Sequence, residues 1–150
     1  MKTVTASAVV PATPDEVFAF VADLENLPRW QTGIVSAELT TPGPIGAGSR
    51  AHVVRELLGQ RLAVDLALVD HQPGRRLELT SATSGIGVRA ILELAPEDGA
   101  TRLAFTMEIK AQNMFMTPVE GMVAGAAERD IADSLARVRS YFPAETPPAG

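Results

Sequence analysis

The chain has 150 residues, of which 46% are hydrophobic and 21% are charged. This size and composition are typical of one globular domain with a single hydrophobic core. The absence of cysteine excludes disulfides, thiolate metal sites and cysteine nucleophiles. With only two histidines, a metal centre built on several histidines is not expected. The net charge of −5 argues against nucleic-acid binding, which requires a basic surface.

The first residues, 1–16, contain one lysine, and Thr, Ser and Pro interrupt their apolar positions, unlike the apolar core of a signal peptide. No run approaches the roughly 18 apolar residues that a membrane-spanning helix needs. The sequence therefore predicts a soluble, cytoplasmic protein with no membrane insertion.

The N-terminal region predicts a strand followed by a helix. Residues 3–10 are rich in β-branched side chains, which favour a strand, and Pro11 ends its ladder. Thr13 followed three positions later by Glu16 is a capping box, which predicts a helix from there to about Asp23.

A second short helical turn is predicted over residues 24–27, with Pro28 ending it. The middle of the chain then alternates apolar and polar residues with a period of two. This alternation predicts six further strands, over residues 34–40, 49–57, 61–71, 76–81, 86–94 and 101–110. Because the turns between them are short, we expect an antiparallel meander with one apolar face.

Apolar residues from Thr117 to Phe142 recur at helical spacing and predict a helix of about 25 residues, roughly 37 Å long. This helix is the only predicted element large enough to cover the apolar face of the sheet, and a twisted sheet would curl around it. The sequence therefore predicts an α+β fold in which a seven-stranded antiparallel sheet wraps a long C-terminal helix. Residues 143–150 contain three prolines and are predicted to be a disordered tail, which leaves 1–142 as one domain.

Several short motifs add a family resemblance to this prediction. They are residues 11–18 (PATPDEVF), 21–30 (VADLENLPRW), 48–50 (GSR), 73–77 (PGRRL) and 99–103 (GATRL). Together with the element order, they resemble the START-like, or Bet v 1-like, superfamily, and in particular its polyketide cyclase/dehydrase-type members, the SRPBCC group. The resemblance covers residues 3–142. It implies a helix-grip fold with a cavity between the sheet and the long helix. It also implies a small hydrophobic ligand, since family members include aromatases, cyclases and lipid or quinone carriers.

The inward-facing positions of the predicted strands and helix give the candidate ligand-binding residues. They are Val53, Leu66, Leu79, Ser81, Phe105, Met107, Val119 and Val123. Two more candidates flank the predicted cavity: Trp30, for which core packing is the alternative, and Met116, whose flexible side chain suits an irregular ligand. The alternative for the whole interior is a solid core without space for a ligand.

Arg55 is the most informative polar residue because it shares the strand phase of the apolar residue Val53. A guanidinium in an apolar space needs a carboxylate or a ligand oxygen as partner. Glu120 and Asp130 lie near the apolar stripe of the long helix, and either could be that partner; Glu120 is also a candidate ligand contact. The alternative is that Arg55 reaches water at the strand end or pairs with a surface acid.

His52 has the opposite phase and is therefore expected on the outer face of the sheet. A bulge near Ser49 would exchange the faces of His52 and Arg55. His52 would then be a natural general acid or base, because its imidazole titrates near neutrality. Arg55 and His52 are accordingly the two candidate catalytic residues.

No nucleophile–histidine–acid arrangement, phosphate-binding glycine loop or carboxylate cluster is evident, so neither a cofactor nor a metal is expected. The sequence predicts binding of a small hydrophobic or aromatic, polyketide-like molecule, with cyclisation or dehydration as the chemistry if the protein is an enzyme. The alternative is a non-catalytic lipid or quinone carrier. A third possibility is a helper domain for a partner protein, with a closed core and an exposed apolar patch. The sequence does not determine the ligand, catalysis or the oligomeric state.

Overall fold

The computed structural model describes residues 1–57, 59–83 and 85–143. Residues 144–150 of the predicted tail lie outside the described residues. In chain order, the elements are β1 (Lys2–Val10), α1 (Pro14–Ala22), a 3-10 turn (Leu24–Asn26), α2 (Leu27–Trp30), β2 (Ile34–Leu39), β3 (Arg50–Leu57), β4 (Gln60–Gln72), β5 (Arg76–Thr83), β6 (Ile86–Glu97), β7 (Ala100–Ala111), a second 3-10 turn (Met114–Met116) and α3 (Thr117–Ser140).

The seven strands form one antiparallel sheet in the order β1-β7-β6-β5-β4-β3-β2. The predicted fold class, with short helices after the first strand and a long C-terminal helix, is confirmed. The meander from β2 to β7 follows chain order, and β1 pairs with β7 as the edge strand on that side of the sheet. The 24-residue helix α3 contacts mainly β1 and β7, so it lies along the inner face of the sheet.

The capping prediction for α1 is confirmed. The Thr13 hydroxyl accepts a hydrogen bond from the backbone N–H of Glu16 at 3.3 Å. It also donates to the Glu16 carboxylate at 3.1 Å, so that this carboxylate binds the cap side chain. Satisfying an otherwise unpaired N–H in the first turn explains why the helix begins at Pro14.

The predicted stop at Pro28 is wrong. Pro28 lies in the first turn of α2, which continues to Trp30. A proline in the first turn of a helix interrupts no helical hydrogen bond, because N–H groups there have no intrahelical acceptor. This extra turn buries Trp30 completely and leads directly into the segment 31–33 beside the site described below.

The start of α3 is fixed to the sheet by Glu120. Its carboxylate accepts a hydrogen bond from the backbone N–H of Ala111, at the end of β7, at 2.8 Å. The same carboxylate lies 2.9 Å from the amino group of Met1. The Ala111 hydrogen bond and the amino group lower the pKa of Glu120. Glu120 therefore holds β1, β7 and α3 together at one end of the molecule.

Candidate functional site

Two adjoining cavities lie on the inner face of the sheet. The helix-side cavity lies between α3 and the strands and is lined by Gln31, Thr32, Arg55, Val88, Phe105, Met107, Ile109, Val123, Ala127, Asp130, Ile131 and Ser134. The strand-side cavity lies over β3 to β6 and is lined by Gln31, Ile34, Val53, Arg55, Val64, Leu66, Leu79, Ser81, Val88, Ala90 and Met107. Both linings are mainly apolar, and the helix-side lining also contains five polar or charged residues.

Each cavity is small. Its volume is about 20 Å³, measured as the space open to the centre of a water molecule. One water needs about 10–15 Å³ on that measure. The interior is therefore neither the solid core nor the ligand-sized hollow considered from the sequence. Phe105 and Trp30, whose rings meet edge to face at 5.9 Å between centroids, fill part of the expected space.

Four residues line both cavities and so form the partition between them: Gln31, Arg55, Val88 and Met107. Arg55 and Met107 have long side chains with several rotatable bonds. The partition therefore consists in part of flexible side chains.

Arg55 projects from β3 into this partition and is mostly buried. Burial lowers the pKa of its guanidinium, and the charge of Asp130 acts in the opposite direction. No carboxylate of the described residues lies within 4.0 Å of it, and none of their polar atoms forms a hydrogen bond with its side chain. Because a buried guanidinium is costly without an acceptor, Arg55 is suited to bind an oxygen atom within the cavity.

Asp130 lies on α3 at the edge of the helix-side cavity and is partly buried. Burial raises the pKa of its carboxyl group, against the opposing effects of Arg55 and Arg129. Its side chain stands beside the segment 31–33, since a Cβ atom placed on Gly33 would lie 3.6 Å from its Oδ2 atom. Asp130 is thus a proton-accepting group at the same cavity as Arg55.

The segment 31–33 lies at this side of the cavity and is hydrogen-bonded to both α3 and β3. The backbone N–H of Thr32 donates to the Ser134 hydroxyl at 2.9 Å, and that hydroxyl donates to the carbonyl oxygen of Asp130 at 2.6 Å. The carbonyl oxygen of Gly33 accepts from the backbone N–H of Glu56 at 2.6 Å. Gly33 has a φ of +97°, a conformation that favours glycine.

Eight of the sequence-predicted site residues meet at the cavities. They are Arg55, Val53, Leu66, Leu79, Ser81, Phe105, Met107 and Val123. Arg55 and Val53 face the same way because β3 pairs with β4 without a register shift from Arg50 to Leu57. Register shifts occur instead in the pairing of β2 with β3, between Ile34 and Ser36, and in that of β4 with β5, between Leu68 and Asp70.

The other predicted site residues lie elsewhere. His52 is on the outer face, with its Nδ1 atom 3.2 Å from the Asp65 carboxylate, so the alternative register is not the one observed. Trp30 is fully buried behind Phe105 and lines neither cavity. Met116 and Val119 are partly buried against the core, outside both linings. Glu120 is bound to Ala111, so it does not pair with Arg55.

Sequence reasoning missed Gln31, Thr32 and Ser134. Ser134 lies three residues after Ile131, on the buried stripe of α3, so helical spacing could have identified it as an inward-facing hydroxyl. Gln31 and Thr32 follow α2 in an irregular segment that has no periodicity to indicate a direction. No pattern in the sequence could have identified them.

Two general features of the described residues bear on the chemistry. No group of three or more His, Asp or Glu side chains within them could hold a metal ion. Among the helices that the structure describes, none has the length and apolar character needed to cross a membrane.

A family model described as polyketide cyclase/dehydrase and lipid transport matches residues 1–143. The chain belongs to this family. The resemblance recognised in the sequence motifs is thereby confirmed over the whole described domain.

Curated relatives of similar length occur in Mycobacterium tuberculosis. The uncharacterized protein Rv1546 is 25% identical over 143 residues, which cover 95% of this chain and 99% of that protein. The toxin Rv0910 is 22% identical over 143 residues, with the same coverage.

Solved structures show the same fold at low sequence identity. The Zhui aromatase/cyclase from Streptomyces sp. R1128 superposes with a TM-score of 0.78 and 15% identity, covering 94% of this chain and 93% of that one. A START superfamily protein from Mycobacterium smegmatis has a TM-score of 0.74 and 17% identity, covering 93% of this chain and 98% of that one. These likenesses establish the helix-grip fold and no more.

Proposed function

We propose that this protein binds a small hydrophobic or aromatic molecule between the sheet and α3, with an oxygen atom of that molecule accepting hydrogen bonds from Arg55. The observation that carries the proposal is the environment of Arg55. It is a mostly buried cation in an aliphatic lining, and no described residue supplies an acceptor within hydrogen-bond distance. A bound carbonyl, phenolate or carboxylate would supply that acceptor.

Binding requires the interior to widen. Pockets for small molecules typically measure about 300–1,000 Å³, far more than the two cavities offer. Movement of Arg55 and Met107 would join the cavities, and the aliphatic side chains on either side would contact the rest of the ligand. The ligand is therefore expected to enter by displacing the partition while keeping its contact with Arg55.

A non-catalytic carrier of a lipid or quinone is the simpler form of this proposal. Within the described part of the chain, the cavities hold no acid and base joined by a hydrogen bond, and His52 is on the opposite face of the sheet. The family description includes lipid transport as well as cyclase and dehydrase activity. Both features support binding without chemistry.

Asp130 supports a catalytic form of the proposal. A carboxylate whose pKa is raised by burial is a stronger base than an exposed one. In a dehydration, the Asp130 carboxylate would take the proton next to a ligand carbonyl. The carbonyl oxygen, facing Arg55, would carry the developing negative charge. The carbon–oxygen bond to the β-hydroxyl group would then break, and the leaving hydroxide would take the proton from Asp130 to become water, which restores the carboxylate.

The binding proposal is tested by identifying what occupies the purified protein. Native mass spectrometry of freshly purified protein should show an added mass, and solvent extraction should release a compound of low polarity. As a second measurement, anthracene, 1,8-dihydroxyanthraquinone and dodecanoic acid would be titrated separately. Saturation by at least one of them should raise the melting temperature. A protein that carries nothing and is stabilised by none of the three would contradict the proposal.

Arg55→Met provides the matched test of the oxygen contact. Loss of hydrogen bonds to a charged donor should weaken binding of 1,8-dihydroxyanthraquinone about 10- to 100-fold. Binding of anthracene, which has no oxygen, should change little. Arg50→Met is the control, since Arg50 lies on the same strand with an exposed side chain. Equal losses for both compounds would show that Arg55 acts through packing and not through an oxygen contact.

The catalytic form is tested with a simple β-hydroxy ketone. Conversion of 4-hydroxy-4-phenylbutan-2-one to the conjugated enone can be followed by ultraviolet absorbance. Wild-type protein should accelerate it, and Asp130→Asn should remove the acceleration while leaving binding of anthracene intact. Rates equal to those of buffer alone would favour the carrier.

A further inference from the structure

Gln31 is a buried polar residue whose side-chain amide has no hydrogen-bond partner among the described residues. Only 6% of the residue is exposed. Its backbone groups are both used, because its N–H donates to the carbonyl oxygen of Leu27 at 2.9 Å and its own carbonyl oxygen accepts from Ile34 at 3.2 Å. Its side-chain amide forms no hydrogen bond with any residue in the ranges 1–57, 59–83 and 85–143. Buried amides in folded proteins almost always have a partner.

The position of this amide is informative. Gln31 and Arg55 both line the helix-side cavity and the strand-side cavity, so they stand at the junction between them. The space on one side of this junction is bounded by Phe105, Ile109 and Val123, and on the other by Val53, Leu66 and Leu79. Two polar groups that bind none of the described residues therefore lie between two largely apolar linings.

The two groups differ in what they require. A guanidinium only donates hydrogen bonds, so Arg55 requires an acceptor such as a carbonyl oxygen. The amide of Gln31 both donates and accepts, so it can bind a hydroxyl group as well as a carbonyl. Because both residues line the same two cavities, together they complement a molecule that has a carbonyl and a hydroxyl group close together.

We propose that Gln31 is a specificity-determining residue that, with Arg55, selects ligands whose oxygen atoms lie in the middle of an apolar skeleton. This inference rests on the proposed function, because it assumes that one ligand spans both cavities. A molecule with a single polar group at one end is disfavoured. Its apolar chain would have to pass both polar groups and leave at least one of them buried without a partner.

The position of Gln31 between the two cavities also leads to a prediction for the stability of the protein without ligand. Because the amide binds none of the described residues, only water could satisfy it in the free protein, and replacing it with an apolar side chain of similar length should be stabilising. When a ligand with a carbonyl and a hydroxyl group is bound, Gln31→Met should be less stable than wild type, because it lacks the hydrogen bonds of the amide. The substitution should therefore raise stability in the free protein and lower it in the complex.

The test compares the full-length wild-type protein with Gln31→Met. The control is Gln112→Met, since Gln112 is an exposed glutamine outside both linings. The probes are 1,8-dihydroxyanthraquinone, whose oxygens lie along the middle of its skeleton; anthracene, which has none; and dodecanoic acid, whose carboxylate is terminal. Dissociation constants come from calorimetric titration, and melting temperatures are measured with and without each probe.

We expect Gln31→Met to weaken binding of 1,8-dihydroxyanthraquinone about 5- to 10-fold. Binding of anthracene and dodecanoic acid should stay within about 2-fold of wild type, and the melting temperature of the free protein should rise. Unchanged binding of the anthraquinone, an equal loss for dodecanoic acid, or a lower melting temperature of the free variant would each overturn the inference. In all three cases, wild-type binding of the probes would leave the proposed function intact. If the wild-type protein binds none of the probes, both fail.

Discussion

Arg55 on β3 and Asp130 on α3 line the same cavity, yet the guanidinium and the carboxylate do not approach within 4.0 Å of each other. Their charges still interact, because each moves the pKa of the other toward the ionised state. The gap between them leaves both groups incompletely paired in a mostly apolar environment. Incomplete pairing of buried charges costs stability in the free protein, and a polar ligand atom between the two groups would offset part of that cost.

Arg55→Met should therefore stabilise the protein while weakening ligand binding. Removing a mostly buried charge and filling the same volume with a thioether should raise the free energy of unfolding by about 1–2 kcal/mol. Urea denaturation of ligand-free protein, followed by circular dichroism, measures this change. Arg50→Met, at an exposed position of the same strand, should shift it by less than about 0.5 kcal/mol. A strongly destabilised Arg55→Met would mean that the guanidinium has a structural role in the free fold.

Asp130→Asn should change how stability depends on pH. Because burial raises the pKa of Asp130 in the folded state, the folded protein binds this proton more tightly than the unfolded chain does. The stability that this proton contributes is fully present below the ordinary aspartate pKa of 3.8 and is lost as the pH rises through the higher folded value. The asparagine side chain does not titrate, so the stability of the variant does not fall for this reason.

Relative to wild type, Asp130→Asn should therefore gain stability as the pH increases from about 3.8 toward neutrality, and the difference should then level off. Unfolding curves at several pH values give the difference directly. Glu128→Gln, which removes an exposed carboxylate from the same helix, is the control. A difference that decreases over this range would show that the charge of Arg55, rather than burial, dominates the pKa of Asp130.

The fold could be predicted from the sequence because its determinants are local and periodic. Alternation along β3 to β7 indicates the inward face of these strands, interrupted in β4 by the register shift between Leu68 and Asp70. Arg55 shares the alternation with Val53, and both line the strand-side cavity. The partition was harder to predict. Gln31 follows α2, which the sequence does not predict because Pro28 is expected to end the turn over residues 24–27. The direction of Gln31 depends on the hydrogen bonds of the segment 31–33 to α3 and β3.

The size of the cavity could not be predicted from the sequence either. Whether aliphatic side chains leave space depends on how their rotamers interlock, and a few ångströms of displacement decide between a filled core and a ligand site. Trp30 illustrates the point. Its sequence position suited either a cavity mouth or the core, and the edge-to-face contact with Phe105 places it in the core.

Trp30 should contribute to stability more than to ligand binding. Its side chain is fully buried, and its indole N–H has no hydrogen-bond partner in the described structure. Trp30→Ala should cost about 3–5 kcal/mol, since it would leave a large void behind Phe105. Trp30→Phe should cost much less, because the lost volume is smaller and an unpaired N–H is removed.

Denaturation followed by circular dichroism distinguishes these two variants without relying on tryptophan fluorescence. Affinity for the three probes should stay within about 3-fold of wild type in Trp30→Phe, since the indole lines neither cavity. A much larger loss of affinity in a stably folded Trp30→Phe would place the ring in contact with the ligand after all.

Glu78 organises the charges on the outer face of the sheet. Its carboxylate, with only 13% of the side chain exposed, accepts from Arg76 at 2.8 Å and lies 2.9 Å from Nε of Arg89. Arg76 also binds Asp70 at 2.6 Å, and Arg89 lies 3.2 Å from Glu108. The resulting chain of charges crosses β4, β5, β6 and β7. Burial alone would raise the pKa of Glu78, but the hydrogen bonds from Arg89 and Arg76 outweigh it and lower the pKa.

Glu78→Gln should therefore destabilise the protein at neutral pH, by about 1–2 kcal/mol, because it removes the negative charge that two arginines share and one of the two acceptor oxygens. A lowered folded pKa means that this contribution is present above the ordinary glutamate pKa of 4.5 and is lost as the pH falls through the folded value. The difference between variant and wild type should thus shrink in acid. It should also shrink in 1 M salt, where screening weakens the interactions of partly exposed charges. Glu93→Gln, which removes an exposed carboxylate from β6, should have little effect at any pH. If the Glu78→Gln deficit were independent of both pH and salt, its origin would be packing rather than the ion pairs.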